Sequence, residues 1–261
     1  MRGRVEALNN QEDCVKVDGK VSVIMPAYNE EENIEKTIEK TMKCLQRLVP
    51  DYEIIVVDDG STDCTYLRAK QLSSKDSRVK VIRNGMNRGK GYSVKRAARS
   101  ITGDFVVILD ADLEIDPYQL GRLLILLQEY DVCIASKRHP QSIYKAPFMR
   151  KLLSIGFNKL VRLFTGIKFS DTQTGLKAMR AEPFKKIMSI ALIKRYAYDV
   201  EVLALAQLMG LRIAEVPVKI VQKARFSIRA VINMLIDLLG ITYRLRIKHW
   251  YQRMLEALEK Q

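Results

Sequence analysis

The chain has 261 residues, 48% of them hydrophobic and 28% charged, and so can bury the core of one large domain or two small ones. That excludes a disordered tail or a fibrous repeat. Lys plus Arg (44) exceeds Asp plus Glu (30), and the formal net charge of +14 predicts an anionic partner: nucleic acid, a lipid headgroup surface or a phosphorylated substrate.

Residues 1–19 are polar and unpatterned and read as a loose lead-in. VSVIM (21–25), a β-branched run stopped by Pro26, predicts a buried strand. Asn29 is placed to cap the next helix, in which Ile34, Ile38, Met42, Leu45 and Leu48 recur at three- and four-residue steps over 31–48. EIIVV (53–57) predicts a second strand ending at Asp58-Asp59-Gly60, and a helix follows over roughly 63–73. VKVI (79–82) predicts a third strand, 91–100 a helix, and FVVIL (105–109) a fourth strand ending at Asp110. Pro117 opens a helix whose Leu120, Leu123, Leu124 and Leu127 face inward, and VCIAS (132–136) predicts a fifth strand. Strands alternating with helices predict an α/β fold with a mainly parallel sheet, in which ligands sit at the carboxyl ends of the strands. Tyr28 and Glu30, Asp58 and Asp59, and Asp110 and Asp112 all fall at those ends.

After residue 137 the pattern changes. Residues 137–168 hold eight basic residues and no acid, and 219–261 hold nine basic residues against three acids, so these two segments carry the whole net charge. Helical spacing covers 149–165, 198–209 and the tail from 228 onward. The most apolar stretch, VINMLIDLLGITY (231–243), is interrupted by Asn233 and Asp237 and falls short of the about twenty residues a membrane span needs. It predicts no transmembrane helix and reads either as an amphipathic helix in the membrane interface or as a helix packed on the core. Cys14, Cys44, Cys64 and Cys133 form no CxxC pair, which argues against a zinc site or a disulfide framework. The polar N-terminus predicts no signal peptide and a place of work on the cytoplasmic side.

Three strand-end motifs carry chemistry. Asp110-Ala111-Asp112 sets two carboxylates one residue apart just past a buried strand, a hard oxygen set suited to Mg²⁺ or Mn²⁺, with Glu114 a third candidate ligand. In Asp58-Asp59-Gly60-Ser61-Thr62-Asp63, carboxylates can meet a nucleobase or ribose, or serve a turn and helix cap. Asn87-Arg88-Gly89-Lys90-Gly91 is a basic glycine loop before a helix, suited to a phosphate or base, though neither a GxGxxG nor a P-loop.

PAYNEEENI (26–34), VVDDGSTD (56–63), NRGKG (87–91), DAD (110–112), SDTQTGLKAMR (170–180) and KRYAYDVEVL (194–203) resemble, in order and spacing, the family 2 glycosyltransferases of GT-A fold. Within these they look like the dolichyl-phosphate glucose and dolichyl-phosphate mannose synthases. The resemblance covers about residues 20–225 and implies a Rossmann-like GT-A catalytic domain there; the basic helical pattern of 226–261 itself reads as amphipathic membrane-interface helices. It implies that Pro26, Tyr28, Glu30, Asp58, Asp59, Lys90 and Asp110 bind a nucleoside diphosphate sugar, and that Asp110, Asp112 and Glu114 hold Mn²⁺ or Mg²⁺. Lys137, Arg138, Arg150 and Lys151 should meet the phosphate of a polyprenyl (dolichyl) acceptor. Asp171 and Gln173 should lie near the donor sugar, and Asp199 is a candidate base, or else a helix cap or ion-pair member. The implied activity is inverting transfer of a hexose at the cytoplasmic face of a membrane, from UDP-glucose before GDP-mannose. The alternative is a family 2 transferase acting on a polysaccharide or soluble acceptor. Nucleic acid is not expected as a partner, because carboxylate clusters at three strand ends would repel its phosphates.

Overall fold

The computed structural model describes residues 16–222 and 228–260, so most of the lead-in and the start of the 226–261 segment lie outside the described residues. In chain order come β1 (Lys20–Ala27), α1 (Ile34–Leu48), β2 (Asp51–Asp58), α2 (Thr65–Lys75), β3 (Val79–Arg83), α3 (Lys90–Ala97) and β4 (Phe105–Leu109). A 3₁₀ turn at Pro117–Gln119 then leads into α4 (Leu120–Leu126), β5 (Val132–Ser136), β6 (Ile143–Lys145) and α5 (Phe148–Thr165). The chain continues through β7 (Leu176–Arg180), α6 (Ala181–Ile190), α7 (Tyr198–Leu208), β8 (Ile213–Pro217), β9 (Lys219–Val221), α8 (Ile228–Thr242), a π-helical turn at Tyr243–Ile247 and α9 (Trp250–Glu259).

Seven strands form one sheet in the order β3-β2-β1-β4-β7-β5-β8, and β6 pairs with β9 in a small second sheet. All pairings in the large sheet are parallel except those of β7, which runs antiparallel to both β4 and β5. Side chains alternate across the sheet as the strand period requires. Val23, Ile54, Val107 and Cys133 join α1, α2 and α4 on one face, while Ile24, Ile55, Ile108 and Ile134 join α3, α6, α7, α8 and α9 on the other. Burial pushes the Cys133 thiol up to about 12, which makes it an inert core residue.

The predicted strands and the mainly parallel sheet are present. The first helix starts at Ile34 rather than 31, because Asn29 does not cap it. Instead the Asn29 Oδ1 accepts from the Thr62 N–H (2.9 Å), which ties the loop after β1 to the loop after β2. β7, β8 and α6 were not predicted from the sequence. β7 reads Leu-Lys-Ala-Met-Arg, and its Lys177 is buried against a partner distant in sequence.

Candidate active site

The parallel strands bring their carboxyl ends to one edge of the sheet. Antiparallel β7 brings its amino end to that same edge, so the DTQTG segment (171–175) meets the loop after β4, and the Asp110 N–H donates to the Gly175 carbonyl (3.1 Å). Two adjoining clefts of about 630 and 660 Å³ open there and share Tyr28, Glu30, Lys90, Asp110, Asp112 and Tyr196. Two non-glycine residues at the edge, Asn29 (φ 54°) and Leu113 (φ 57°), adopt left-handed backbone conformations. Such conformations concentrate at functional sites.

Around Asp110 the charges alternate. The Lys90 ammonium lies 2.6 Å from Asp110 and 3.7 Å from Asp199, and Lys177 lies 2.8 Å from the other Asp199 oxygen. Burial would lower the Lys90 pKa, but the Asp110 and Asp199 carboxylates outweigh it and hold Lys90 well above the usual lysine range. Asp112 is pushed up to about 7, first by burial and then by the neighbouring Asp110 and Glu114 carboxylates. Glu114, the third candidate ligand, is gripped by Arg150, at 3.0 Å from Nη1 and 3.4 Å from Nη2. Among the described residues no three such ligands converge on one point. Asp110, Asp112 and Glu114 thus fit a hard cation in donor type and crowding, but two of the three are engaged by internal cations.

Of the residues expected to bind the nucleotide, Pro26, Tyr28, Glu30 and Asp59 line the second cleft. Asp59 spends its carboxylate on the glycine loop, accepting from the N–H groups of Arg88 (3.0 Å) and Gly89 (2.7 Å) and from the Asn84 amide (2.7 Å). Gly89 sits at φ 97°, and a β-carbon there would meet the Lys194 carbonyl at 2.5 Å, so the loop is wedged between Asp59 and residues 194–195. Asp58 departs from expectation. It is fully buried, accepts from the Ser61 N–H (3.2 Å) and lies 3.2 Å from Arg83 Nε, because it closes β2 and points away from the cleft.

Of the four expected acceptor residues, Lys137 and Arg150 line the first cleft, together with Gln173 and Asp199. Lys137 pairs with buried Asp171 (3.1 Å). Burial opposes the charge on both, lowering the Lys137 pKa, whereas the Lys137 ammonium holds Asp171 below the usual carboxylate range. Asp171 also accepts from the Lys137 N–H, the Gln173 N–H and the Thr174 hydroxyl, so it braces the loop instead of facing the cleft. Arg138 turns to α5, donating to the Ser154 carbonyl (2.7 Å), and Lys151 lies over the Tyr144 ring at 5.6 Å; neither lines the cleft. Sequence reasoning passed over Lys177, Tyr196 and Ser154. Only Lys177 left a signal, a lysine set among the apolar residues Leu176, Ala178 and Met179.

α8 closes one side of both clefts with Ala230 and Met234. It is anchored by Asp237, which takes two bonds from Arg195 (2.7 and 3.2 Å), and by Leu238 and Ile241 in the core. Its outer face leaves Ile232, Ile236 and Leu239 more than half exposed, and α5, which packs on it, leaves Phe148, Met149 and Leu152 likewise exposed. The core-packing reading of this helix is realised on its inner face, and its outer face presents exposed apolar side chains. Among the described residues no helix is long and apolar enough to cross a membrane.

Comparison with known proteins decides the family. The model for glycosyl transferase family 2 matches residues 22–188. The chain belongs to glycosyl transferase family 2. Over 236 residues it is 32% identical to the glycosyltransferase AglD of Haloferax volcanii, covering 89% of this chain but only 37% of AglD. It is 32% identical over 213 residues to a dolichyl-phosphate beta-glucosyltransferase of Dictyostelium discoideum (76% of this chain, 65% of the relative). It is 37% identical over 199 residues to a dolichol-phosphate mannosyltransferase of Pyrococcus furiosus (70% and 55%). The fold matches glucosyl-3-phosphoglycerate synthase of Mycobacterium tuberculosis, solved with Mn²⁺, uridine-diphosphate-glucose and phosphoglyceric acid, at TM-score 0.66 and 21% identity over 93% of this chain and 84% of that one. The chain is thus a glycosyl transferase on a GT-A-type fold.

Proposed function

We propose that this transferase moves a hexose, with inversion, from a nucleoside diphosphate sugar to a polyprenyl phosphate at a membrane surface, with UDP-glucose favoured over GDP-mannose. One observation carries the reading: the carboxylates of Asp110 and Asp112, the cations of Lys137 and Arg150, and a helix with an exposed apolar face border one cleft. The names of the Dictyostelium and Pyrococcus relatives support the acceptor class. Asp110 and Asp112 would hold a divalent cation, which supplies positive charge against the departing diphosphate. Lys90 orients Asp110, and the glycine loop held by Asp59 shapes the nucleotide side.

The acceptor phosphate, with a second pKa of about 6, is largely dianionic at neutral pH and can attack the anomeric carbon without a general base. Asp199, with both oxygens facing lysine ammonium groups, suits a bracing role better than that of a proton acceptor. Apolar side chains of α5 and α8, with exposed Lys159, Arg162, Arg246 and Lys248 on these helices and the turn after α8, suit an anionic bilayer surface.

The test is transfer into the organic phase. Protein, dolichyl phosphate and Mn²⁺ are incubated with labelled UDP-glucose and, in parallel, labelled GDP-mannose. Label in the lipid from UDP-glucose alone is the expected result, and label from GDP-mannose alone would correct the donor. Donor turnover with no lipid label from either would overturn the lipid acceptor in favour of a soluble or polymeric one.

A further inference from the structure

Glu114 and Arg150 were expected to serve different ligands, a cation and the acceptor phosphate. In the structure they hold each other. The two guanidinium nitrogens lie 3.0 and 3.4 Å from the two Glu114 oxygens, and the side chains are only 28% and 11% exposed, so water screens the pair weakly. The contact is built in from both sides. Left-handed Leu113 turns the chain between Asp112 and Glu114, and the Glu114 carbonyl accepts from the Val221 N–H (3.0 Å). Arg150 stands in the first turn of α5, whose Leu153 and Ser154 line the same cleft. With Nη1 and Nη2 both turned to Glu114, the clasp occupies the end-on edge of the guanidinium, so Arg150 cannot offer that edge to an acceptor phosphate while Glu114 holds it.

We infer that Glu114 is a positioning residue that withholds Arg150 from the acceptor until a divalent cation takes up the Glu114 carboxylate, so that loading the donor side completes the acceptor side. The acceptor half of this inference rests on the lipid-phosphate reading above; the competition for Glu114 does not.

The test is a double-mutant cycle on Mn²⁺ binding, read by the loss of the free-ion electron paramagnetic resonance signal in wild type, R150Q, E114Q and E114Q/R150Q. Opening the clasp by Arg150→Gln should tighten Mn²⁺ binding about tenfold when Glu114 is present, the size of one lost charge-assisted hydrogen bond. In the Glu114→Gln background the same change should alter it less than about twofold. Equal tightening in both backgrounds would mean only the loss of a nearby positive charge, and no tightening would mean no competition; either overturns the inference. A second arm measures binding of farnesyl phosphate, a soluble short polyprenyl phosphate. Wild type should bind it about tenfold tighter with Mn²⁺, and Glu114→Gln should bind it tightly with or without Mn²⁺. Equal Mn²⁺ dependence in both proteins would overturn the exchange. Absence of farnesyl phosphate binding in every form would instead overturn the lipid-phosphate reading, with the Mn²⁺ cycle still deciding the clasp.

Discussion

Gly175→Ala offers the most local perturbation of the catalytic edge. A β-carbon at this position would lie 2.2 Å from Asp110 Oδ2, 2.7 Å from its Cγ and 3.1 Å from its Cβ. Carbon atoms pack best at about 3.5–4.0 Å, so the Asp110 carboxylate must leave its place. Leaving breaks the 2.6 Å contact to Lys90. A charge-assisted hydrogen bond contributes about 1.5–3 kcal/mol, and an off-rotamer side chain costs about 0.5–1.5 kcal/mol. The free protein avoids much of this by turning Asp110, about a third exposed, toward solvent, so the melting temperature should fall by only about 2–4 °C. Under the proposed function the reacting complex cannot, because a cation held between Asp110 and Asp112 needs that carboxylate in place. A cost of about 2–4 kcal/mol then falls on the transition state, a loss of roughly 30- to 1,000-fold in kcat/KM. The assay is initial-rate hexose transfer over a donor series, beside a thermal melt. Transfer within about threefold of wild type at an unchanged melting temperature would refute the argument, since the β-carbon would then have found room that the packing denies it.

Asp110→Ala and Asp112→Ala should each lower cation-dependent transfer by at least about a hundredfold while the melt stays cooperative; full activity with Mn²⁺ present would remove the assignment of these two carboxylates. Glu53 should act on stability alone. Its buried carboxylate accepts from Ser22, Thr102 and Lys80, which outweigh burial and bring its pKa down from 4.5 to about 2. A depressed carboxyl stabilises the fold above its unfolded pKa and loses that effect as pH falls toward the folded one, so Glu53→Gln should cost about 1–3 kcal/mol at pH 7 and progressively less between pH 4.5 and 2, read by urea unfolding. Gly156→Ala, in mid-helix with nothing within 4 Å of the new β-carbon, should stabilise by about 0.5–1 kcal/mol with transfer unchanged. Ile236→Glu with Leu239→Glu should weaken sedimentation with anionic vesicles by at least about tenfold, since each side chain is more than half exposed and its burial in lipid is worth about 1.5–3 kcal/mol; equal sedimentation would place the membrane contact elsewhere.

What the sequence revealed and what it hid follow from the range of the interactions involved. VSVIM, EIIVV and FVVIL are strands because β-branched and apolar residues fill both faces of a covered parallel sheet, and that signal is local. β7 escaped because Lys177 looks like a surface residue until Asp199, on a helix more than twenty positions later, neutralises it. The Asp58-Asp59 pair was half legible. Strand alternation sends neighbouring side chains to opposite faces, so only one of the two can reach the cleft, but which one depends on where β2 ends. Asn29 has the type and place of a helix cap, but its Oδ1 accepts from the Thr62 N–H in the loop after β2 instead. Arg150 was placed at the acceptor by resemblance, and no pattern within residues 137–168 could foresee that Glu114, from the loop after β4, would hold it.

The charge arrangement explains why this edge should depend on a divalent cation more steeply than its basic composition suggests. Lys90 is committed to Asp110 and Asp199, Lys177 to Asp199, Lys137 to Asp171, and Arg150 to Glu114. A diphosphate entering the cleft therefore meets cations already paired with carboxylates, and can draw on them only by leaving those carboxylates uncompensated in partly buried surroundings, a change that costs several kcal/mol per ion. Asp112 has no cation within ion-pair distance among the described residues, and burial and its neighbours keep its carboxyl near neutrality at about 7. A divalent ion beside Asp110 and Asp112 removes both difficulties: it neutralises the crowded carboxylates and presents charge that no internal carboxylate has claimed. The net charge of +14 is carried by residues 137–168 and 219–261, of whose basic side chains Lys137, Arg150 and Arg229 line the clefts, while the carboxylates and cations at the sheet edge largely pair with one another. Raising ionic strength should therefore weaken lipid and donor capture through KM while leaving kcat nearly constant, and a kcat that falls in parallel with capture would show that the basic segments act within the reaction itself.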